Sequence, residues 1–401
     1  MNPCIVIGAS HAAAQIVASL RQEGWEHGIT VIGDEPYLPY HRPPLSKTVL
    51  TGEVAHEKTL IRPEAFYAKQ DAVLRLGERV EAIDRAAKQV VMTDGERLDY
   101  SKLVISTGAS PIILNLPGED LSGIGYLRSY SDVLGLKAHI QEGKRAVVIG
   151  GGYIGLETAA ALTKYGMQVT VLEGMDRVLK RVTGEKISAF YTQAHEKRGV
   201  TIVTGAQASG FEGSDGHVST VQCKDGSSYP ADLVVIGVGV RPNVALAEVA
   251  GLKVDNGICV DQFSCTEDPD IFAMGDCSSF PSVHAGQRLR LESVPNATEQ
   301  AKSAAAKICG TEKPYVALPW FWSDQYDIKL QIAGLSQGFD DIVIRGDMDA
   351  ENFSAWYFKG EKLLAVDCIN NPKDFMVAKK LIASDSSPSK AAVADLESSL
   401  A

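Results

Sequence analysis

The sequence predicts an α/β protein with two parallel, doubly wound sheet domains and a C-terminal α+β domain built on an antiparallel sheet. Three observations predict it. A strand–glycine turn–helix–strand unit occurs twice, the copies about 140 residues apart. The strands of both units are short, unbroken apolar runs, as strands buried on both faces are. After Lys313-Pro314 the texture changes to aromatic, alternating segments typical of antiparallel strands. A chain of 401 residues is too long for one ordinary domain, so this layout also fits its length.

The first unit comprises a strand at 4–7, a turn from Gly8, a helix through Arg21 and a strand at 29–32. The second comprises a strand at 146–149, the turn Gly150-Gly151-Gly152-Tyr153-Ile154-Gly155, a helix through Lys164 and a strand at 168–172. Each has the size of a mononucleotide-binding half of a Rossmann-like dinucleotide-binding domain. Further short apolar strands end in Ser106-Thr107-Gly108, in Gly237-Val238-Gly239 and in Met274-Gly275-Asp276, and a helix is expected over 297–308. Beyond residue 313, strands are expected at 329–333, 341–345 and 353–358, with a frayed helix from Ala383. The expected domains are residues 1–112 with 238–313, an inserted 113–237, and 314–401.

In the second unit Gly150, Gly152 and Gly155 complete G-x-G-x-x-G. The first glycine allows the tight turn, the second lets the backbone approach a pyrophosphate, and the third lets the helix pack on the strand. The helix N-terminus then offers N–H groups and partial positive charge to the phosphates. Glu173 closes the next strand, where a carboxylate binds ribose hydroxyls and repels a 2′-phosphate, favouring NADH over NADPH. The first unit is degenerate: Gly8 is kept, Ser10 and Ala13 fill the other slots, and Asp34 and Glu35 stand at the ribose position. His11 and Ala12 lie at the helix start, and no chemistry is assigned to His11.

Lys and Arg number 39 against 50 Asp and Glu, a net charge of −11. Such a balance repels phosphate backbones and anionic lipid, so nucleic-acid and membrane-surface binding are disfavoured. No apolar run is long enough to span a bilayer, and the first residues lack the basic region of a signal peptide, so a cytoplasmic location is expected. The seven cysteines stand at 4, 223, 259, 265, 277, 309 and 368, none in C-x-x-C spacing. Neither a disulfide framework nor a structural metal site is expected.

The two units, with Thr107-Gly108 and Gly275-Asp276, resemble the FAD-dependent pyridine nucleotide-disulfide oxidoreductase superfamily, whose fold is glutathione-reductase-like. Three segments narrow the resemblance to the oxygenase-coupled NADH:ferredoxin reductases. They are Pro43-Pro44-Leu45-Ser46-Lys47, Glu292-Ser293-Val294-Pro295-Asn296-Ala297, and Pro319-Trp320-Phe321-Trp322-Ser323-Asp324-Gln325-Tyr326. The resemblance implies FAD on the first unit, contacted by Gly8, Ser10, His11, Ala12, Asp34 and Glu35, and NADH on the second, with the Gly-Asp aspartate Asp276 on the ribityl chain. It also implies FAD contacts from Arg42, Lys47, Val80, Thr107, Gly108, Arg128, Val294 and Trp322, the last lying over the flavin ring. Tyr153, Ile154, Arg181 and Gly239 join the glycines and Glu173 as implied NADH contacts.

By the same resemblance Lys47 lies beside the flavin and Glu157, one turn into the NADH helix, faces it. The expected arrangement is an ion pair that orients the nicotinamide and tunes the flavin. Ser293 is expected to cap a helix whose N-terminus points at the flavin, contributing on the order of 1 kcal/mol towards negative charge there. Thiol-using relatives place a redox cysteine near residue 40, whereas this chain has none from 5 to 222. Electrons must therefore leave for an external acceptor, by resemblance an iron–sulfur ferredoxin feeding a ring-hydroxylating dioxygenase or a cytochrome P450. Residues 281–331 carry six Lys and Arg against five Asp and Glu, and Lys302 and Lys329 are the docking candidates. A monomer or weak homodimer is expected. The alternatives are a flavin NADH oxidase or monodehydroascorbate-type reductase, and a redox-responsive interaction protein resembling apoptosis-inducing factor.

Overall fold

The computed structural model describes residues 2–400 and divides into two compact units. Of the described residues, the first holds 2–41, 57–110 and 241–319; the second holds 42–56, 111–240 and 320–400.

In the first unit five parallel strands lie in the order Ile271–Ala273, Lys102–Ile105, Cys4–Ile7, Ile29–Gly33, Ala72–Leu76. Val6 sits between Val31 and Val104 in register, at the centre of the sheet. Because strands are buried on both faces, alternate residues feed two cores. Val6, Val31 and Val104 pack under the helices His11–Gln22 and Val294–Ile308, with Ile16, Leu20, Ala301 and Ala305. Ile5, Ile7, Ile32 and Ile105 pack on the other face with Ile83, Val90, Ala247 and Phe280. The helix expected from 297 begins at Val294: Ser293 caps it, accepting the Asn296 N–H at 3.2 Å, and Pro295 fits the first turn because its missing N–H has no partner to lose there.

In the second unit the parallel order is Thr201–Thr204, Gln168–Glu173, Arg145–Ile149, Leu233–Ile236, Ile124–Tyr126. The helix Tyr153–Lys164 follows the central strand, and Glu185–Lys197 precedes the edge strand at 201. An antiparallel sheet runs Trp320–Gln325, Ile328–Gly334, Lys362–Ile369, Asn352–Lys359, Asp341–Asp347. The strands at 320 and 362 went unread in the sequence, the first hidden in a run of aromatics that also fits a loop. The helix expected from Ala383 instead ends there: it is Pro372–Ala383, capped by Asn371, and only a short helix, Lys390–Ala394, follows. Asn371-Pro372 is the start signal that the polar tail obscured. No described helix is long and apolar enough to cross a membrane.

Candidate functional site: two dinucleotide cradles and a buried ion pair

In the first unit the Cys4–Ile7 strand ends at Gly8, whose φ of +104° is a conformation L side chains avoid. A Cβ there would meet the Ser106 carbonyl oxygen at 2.2 Å, so only glycine lets this loop press against the neighbouring strand end. Gly33 does the same for Ala9, whose methyl a Cβ would meet at 2.5 Å. Ser10 is the N-cap position of the helix and has its hydroxyl 3.5 Å from His11 Nδ1; His11 Nε2 in turn lies 3.3 Å from His41 Nδ1. Ala12 is buried at the helix start. Asp34 is exposed just beyond the second strand, and Glu35 accepts the Tyr40 hydroxyl at 2.5 Å. Val80 is buried at the start of an antiparallel strand.

Thr107 and Gly108 are tied by Asn243, which the sequence reading did not single out. The Thr107 hydroxyl donates to its carbonyl at 2.7 Å, and its own amide groups donate to Thr107 and Gly108 carbonyls. The Gly275-Asp276 turn is held by Gln300, whose side-chain oxygen accepts the Gly275 N–H at 2.8 Å and the Ser278 hydroxyl at 3.0 Å. Nothing in local sequence marks Asn243 or Gln300; both act at a distance set by the fold.

Arg42, Lys47, Arg128 and Trp322, expected at the same cofactor, belong to the second unit. Arg42 donates to the Arg128 carbonyl at 2.8 Å, and a capping box of Ser129 and Asp132 anchors Arg128 at the start of a helix. Trp322 is partly exposed beside Phe321 and Trp320.

The second unit's glycines divide by role. A Cβ on Gly150 would meet the Gly237 carbonyl at 2.4 Å, and one on Gly155 the Gly150 carbonyl at 1.9 Å; both are packing glycines. A Cβ on Gly152 would meet nothing within 4 Å. That open face at a helix N-terminus offers the room and the N–H donors that a pyrophosphate needs. Ile154 is exposed in the first helical turn, while the Tyr153 hydroxyl is buried. Glu173 accepts the Gly151 and Met175 N–H groups, each at 2.7 Å, so it also braces the glycine turn. Two amides leave a carboxylate with acceptor capacity for ribose hydroxyls. Arg181 lies against Gly239, its guanidinium 3.4 Å from the Val238 carbonyl.

Glu157 is buried on the Tyr153–Lys164 helix, 4% exposed. Lys47 Nζ lies 2.7 Å from its Oε2, which also accepts the Ser46 hydroxyl at 2.6 Å. Ser323 donates to Oε1 at 2.7 Å. A carboxylate taken from water needs a counter-charge and hydrogen bonds, and Glu157 has both. Ser46 and Ser323 were not singled out from sequence, because hydroxyls 111 and 166 positions away carry no local signal.

Two nucleotide cradles with a charged pair beside one of them define a dinucleotide-dependent oxidoreductase. Residues 2–301 match the family model described as pyridine nucleotide-disulphide oxidoreductase, and residues 320–401 match that of the reductase C-terminal domain. The chain belongs to the pyridine nucleotide-disulphide oxidoreductase family, and its cofactors are FAD and a pyridine nucleotide. It is 44% identical over 383 residues to putidaredoxin reductase CamA of Pseudomonas putida, covering 94% of this chain and 91% of that protein. It is 38% identical over 395 residues to the anthranilate 1,2-dioxygenase system ferredoxin–NAD(+) reductase component of Burkholderia cepacia, covering 98% and 97%. The crystal structure of the covalent putidaredoxin reductase–putidaredoxin complex matches with a TM-score of 0.96 at 42% identity, over 100% of this chain and 97% of that one.

Proposed function

We propose that this protein is an NADH:ferredoxin oxidoreductase that passes single electrons to an iron–sulfur ferredoxin serving an oxygenase. One observation carries the reading beyond family membership: a chain with two dinucleotide cradles has no cysteine from 5 to 222, so the segment near residue 40 offers no thiol to take electrons from a flavin. FAD, when bound, supplies the electron chemistry, accepting hydride from NADH and releasing electrons singly.

The chain's own residues do the rest. Gly8, Ser10 and the following helix start would hold FAD with Asp276, as Gly150, Gly152 and Glu173 would hold NADH. Glu173 places a negative charge where NADPH carries its 2′-phosphate, which favours NADH. Arg181 and Gly239 line the loop beyond that cradle. Lys47, held by Glu157, supplies a fixed positive charge with a directed N–H, and Glu157 keeps the lysine from turning to solvent. Trp322 supplies an aromatic face, and the Ser293-capped helix directs its N-terminal amides at the flavin end.

Lys302 and Lys329 remain the docking candidates. Lys302 is exposed on the Val294–Ile308 helix in a pair with Glu299, and Lys329 is exposed in a sheet of the second unit. A protein of this kind acts in the cytoplasm, as a monomer or weak homodimer.

The assay is cytochrome c reduction by the FAD-loaded protein and NADH. Fast reduction only when a [2Fe–2S] ferredoxin is added, with little oxygen consumed alone, supports the reading. Rapid oxygen consumption would identify an oxidase, and no turnover with any acceptor an interaction protein. A Lys302→Glu variant that reduces ferredoxin at the wild-type rate at all salt concentrations would remove that docking residue.

A further inference from the structure

Behind Glu157 and its Ser323 partner the second unit carries a line of polar side chains, buried except for the partly exposed Tyr326 at its outer end. Ser323 and Gln325 alternate on one face of the Trp320–Gln325 strand, both fully buried. Gln325 Nε2 donates to Ser323 Oγ at 3.2 Å, and Gln325 Oε1 lies 2.8 Å from His195 Nε2. His195 is fully buried on the Glu185–Lys197 helix, and its Nδ1 lies 3.1 Å from the Tyr326 hydroxyl. The line thus runs Tyr326, His195, Gln325, Ser323, Glu157.

We propose that Ser323, Gln325, His195 and Tyr326 are positioning residues that form a single-direction hydrogen-bond chain holding the Glu157 carboxylate, and through it Lys47, in place. The direction follows from what each group is able to do. Glu157 accepts only, so the Ser323 proton points to it and the Ser323 lone pair faces Gln325. The Gln325 amide must then present its NH2 to Ser323 and its oxygen to His195. That oxygen requires a proton on His195 Nε2, which leaves Nδ1 to accept from Tyr326.

The titration states agree with this order. Burial, with the nearby Arg198 charge against the Gln325 bond, brings His195 down to about 4, so the ring is neutral and carries one proton. Burial pushes Tyr326 up to about 12, which keeps its hydroxyl a donor. Reversing the chain would aim a serine lone pair at a buried carboxylate. An amide in the line makes it a poor conductor of protons, so its role is orientation.

The outer end is braced at a conformational cost. Tyr326 opens a two-residue turn between paired Gln325 and Ile328 with φ of +58°, which an aromatic residue rarely adopts. Arg198 holds that turn, pairing with Asp327 at 2.8 Å and Glu351 at 3.0 Å while lying 4.9 Å from the Tyr326 ring centroid. A turn with no purpose beyond reversing the chain has easier residues available.

The inference rests on Lys47–Glu157 acting in NADH oxidation and not on the identity of the acceptor, so it is tested without ferredoxin. Ring nitrogen-15 NMR of His195 in the FAD-loaded protein should show the neutral Nε2–H tautomer from pH 8 down to pH 5. An imidazolium, or the Nδ1–H tautomer, would overturn the chain. Stopped-flow flavin reduction by NADH should fall about tenfold in limiting rate for Ser323→Ala, with half-saturation unchanged, the loss expected for one charge-assisted hydrogen bond. Ser323→Thr, which keeps the hydroxyl, should restore the rate. A Ser323→Ala limiting rate equal to wild type, or a fall that Ser323→Thr does not restore, refutes the positioning role.

Discussion

Gly155 and Gly152 in the second glycine turn should fail in opposite ways when each becomes alanine. Gly155→Ala puts a methyl 1.9 Å from the Gly150 carbonyl oxygen, where contacts under 3.0 Å are not tolerated, so the helix must move away from its strand by about an ångström. A 1.9 Å clash with backbone puts the overpacking cost in the upper part of its usual range, about 2–3 kcal/mol, of which the better helix propensity of alanine returns about 1. A net loss of about 1–2 kcal/mol lowers the melting temperature by roughly 2–8 °C in a unit of this size. Gly152→Ala meets nothing within 4 Å, and its φ of −80° and ψ of −178° suit any residue. The fold should therefore melt within about 2 °C of wild type, since cap preference and chain entropy nearly cancel. Its methyl nonetheless occupies the open face above the helix N-terminus, and NADH affinity should fall at least tenfold, about 1.4 kcal/mol. Thermal melts and NADH titrations of the FAD-loaded variants separate the two. A Gly152→Ala protein with wild-type NADH affinity, or a Gly155→Ala protein with unaltered melting, refutes the division of roles.

Lys47→Ala should slow NADH-dependent flavin reduction by about tenfold or shift the flavin potential, as loss of a directed charge in a water-poor site does; unchanged rate and potential together sink the role given to the ion pair. The buried Asp367 accepts the Tyr357 hydroxyl at 2.6 Å, and burial raises its carboxyl to about 7 against that bond. Between about pH 4 and 7 the folded chain then holds a proton that the unfolded chain has released, so this group makes stability fall as pH rises through that window and stay level above it. Melting temperatures of Asp367→Asn should lack that slope relative to wild type, and parallel curves would show the assignment to be wrong. Six of the seven free cysteines are buried, and burial lifts Cys4 to about 12 and Cys265 to about 11. Treatment with iodoacetamide at pH 8 should leave NADH-dependent flavin reduction within about twofold; loss of activity in step with alkylation would reveal a working thiol.

The repeated units were legible because their signals are local. In each, a strand of four or five apolar residues, a glycine turn and an alanine-rich helix follow one another within thirty positions, and each piece announces its own conformation. The antiparallel strands were harder. Trp320–Gln325 carries three partly exposed aromatics followed by buried Ser323 and Gln325, an inversion of the usual alternation, because its inner face holds polar groups. The first-unit meander of 80–99 and the hairpin Ala208–Ser214 with His217–Cys223 also escaped notice, being short and rich in polar or glycine positions that only pairing makes into strands.

Residue type and spacing alone marked the two glycine turns as candidate dinucleotide cradles, marked the carboxylates that follow them as candidate ribose contacts, and left the chain without a cysteine from 5 to 222. Those features depend on neighbours in the chain or on absences that no folding alters. The surroundings of Glu157 were decided only by tertiary structure. Lys47 and Ser46 reach it across 110 and 111 positions and Ser323 across 166, and His195 joins the line from a separate helix. A buried carboxylate on a helix is costly until those groups arrive together. Sequence names each of them, but only packing makes them a set.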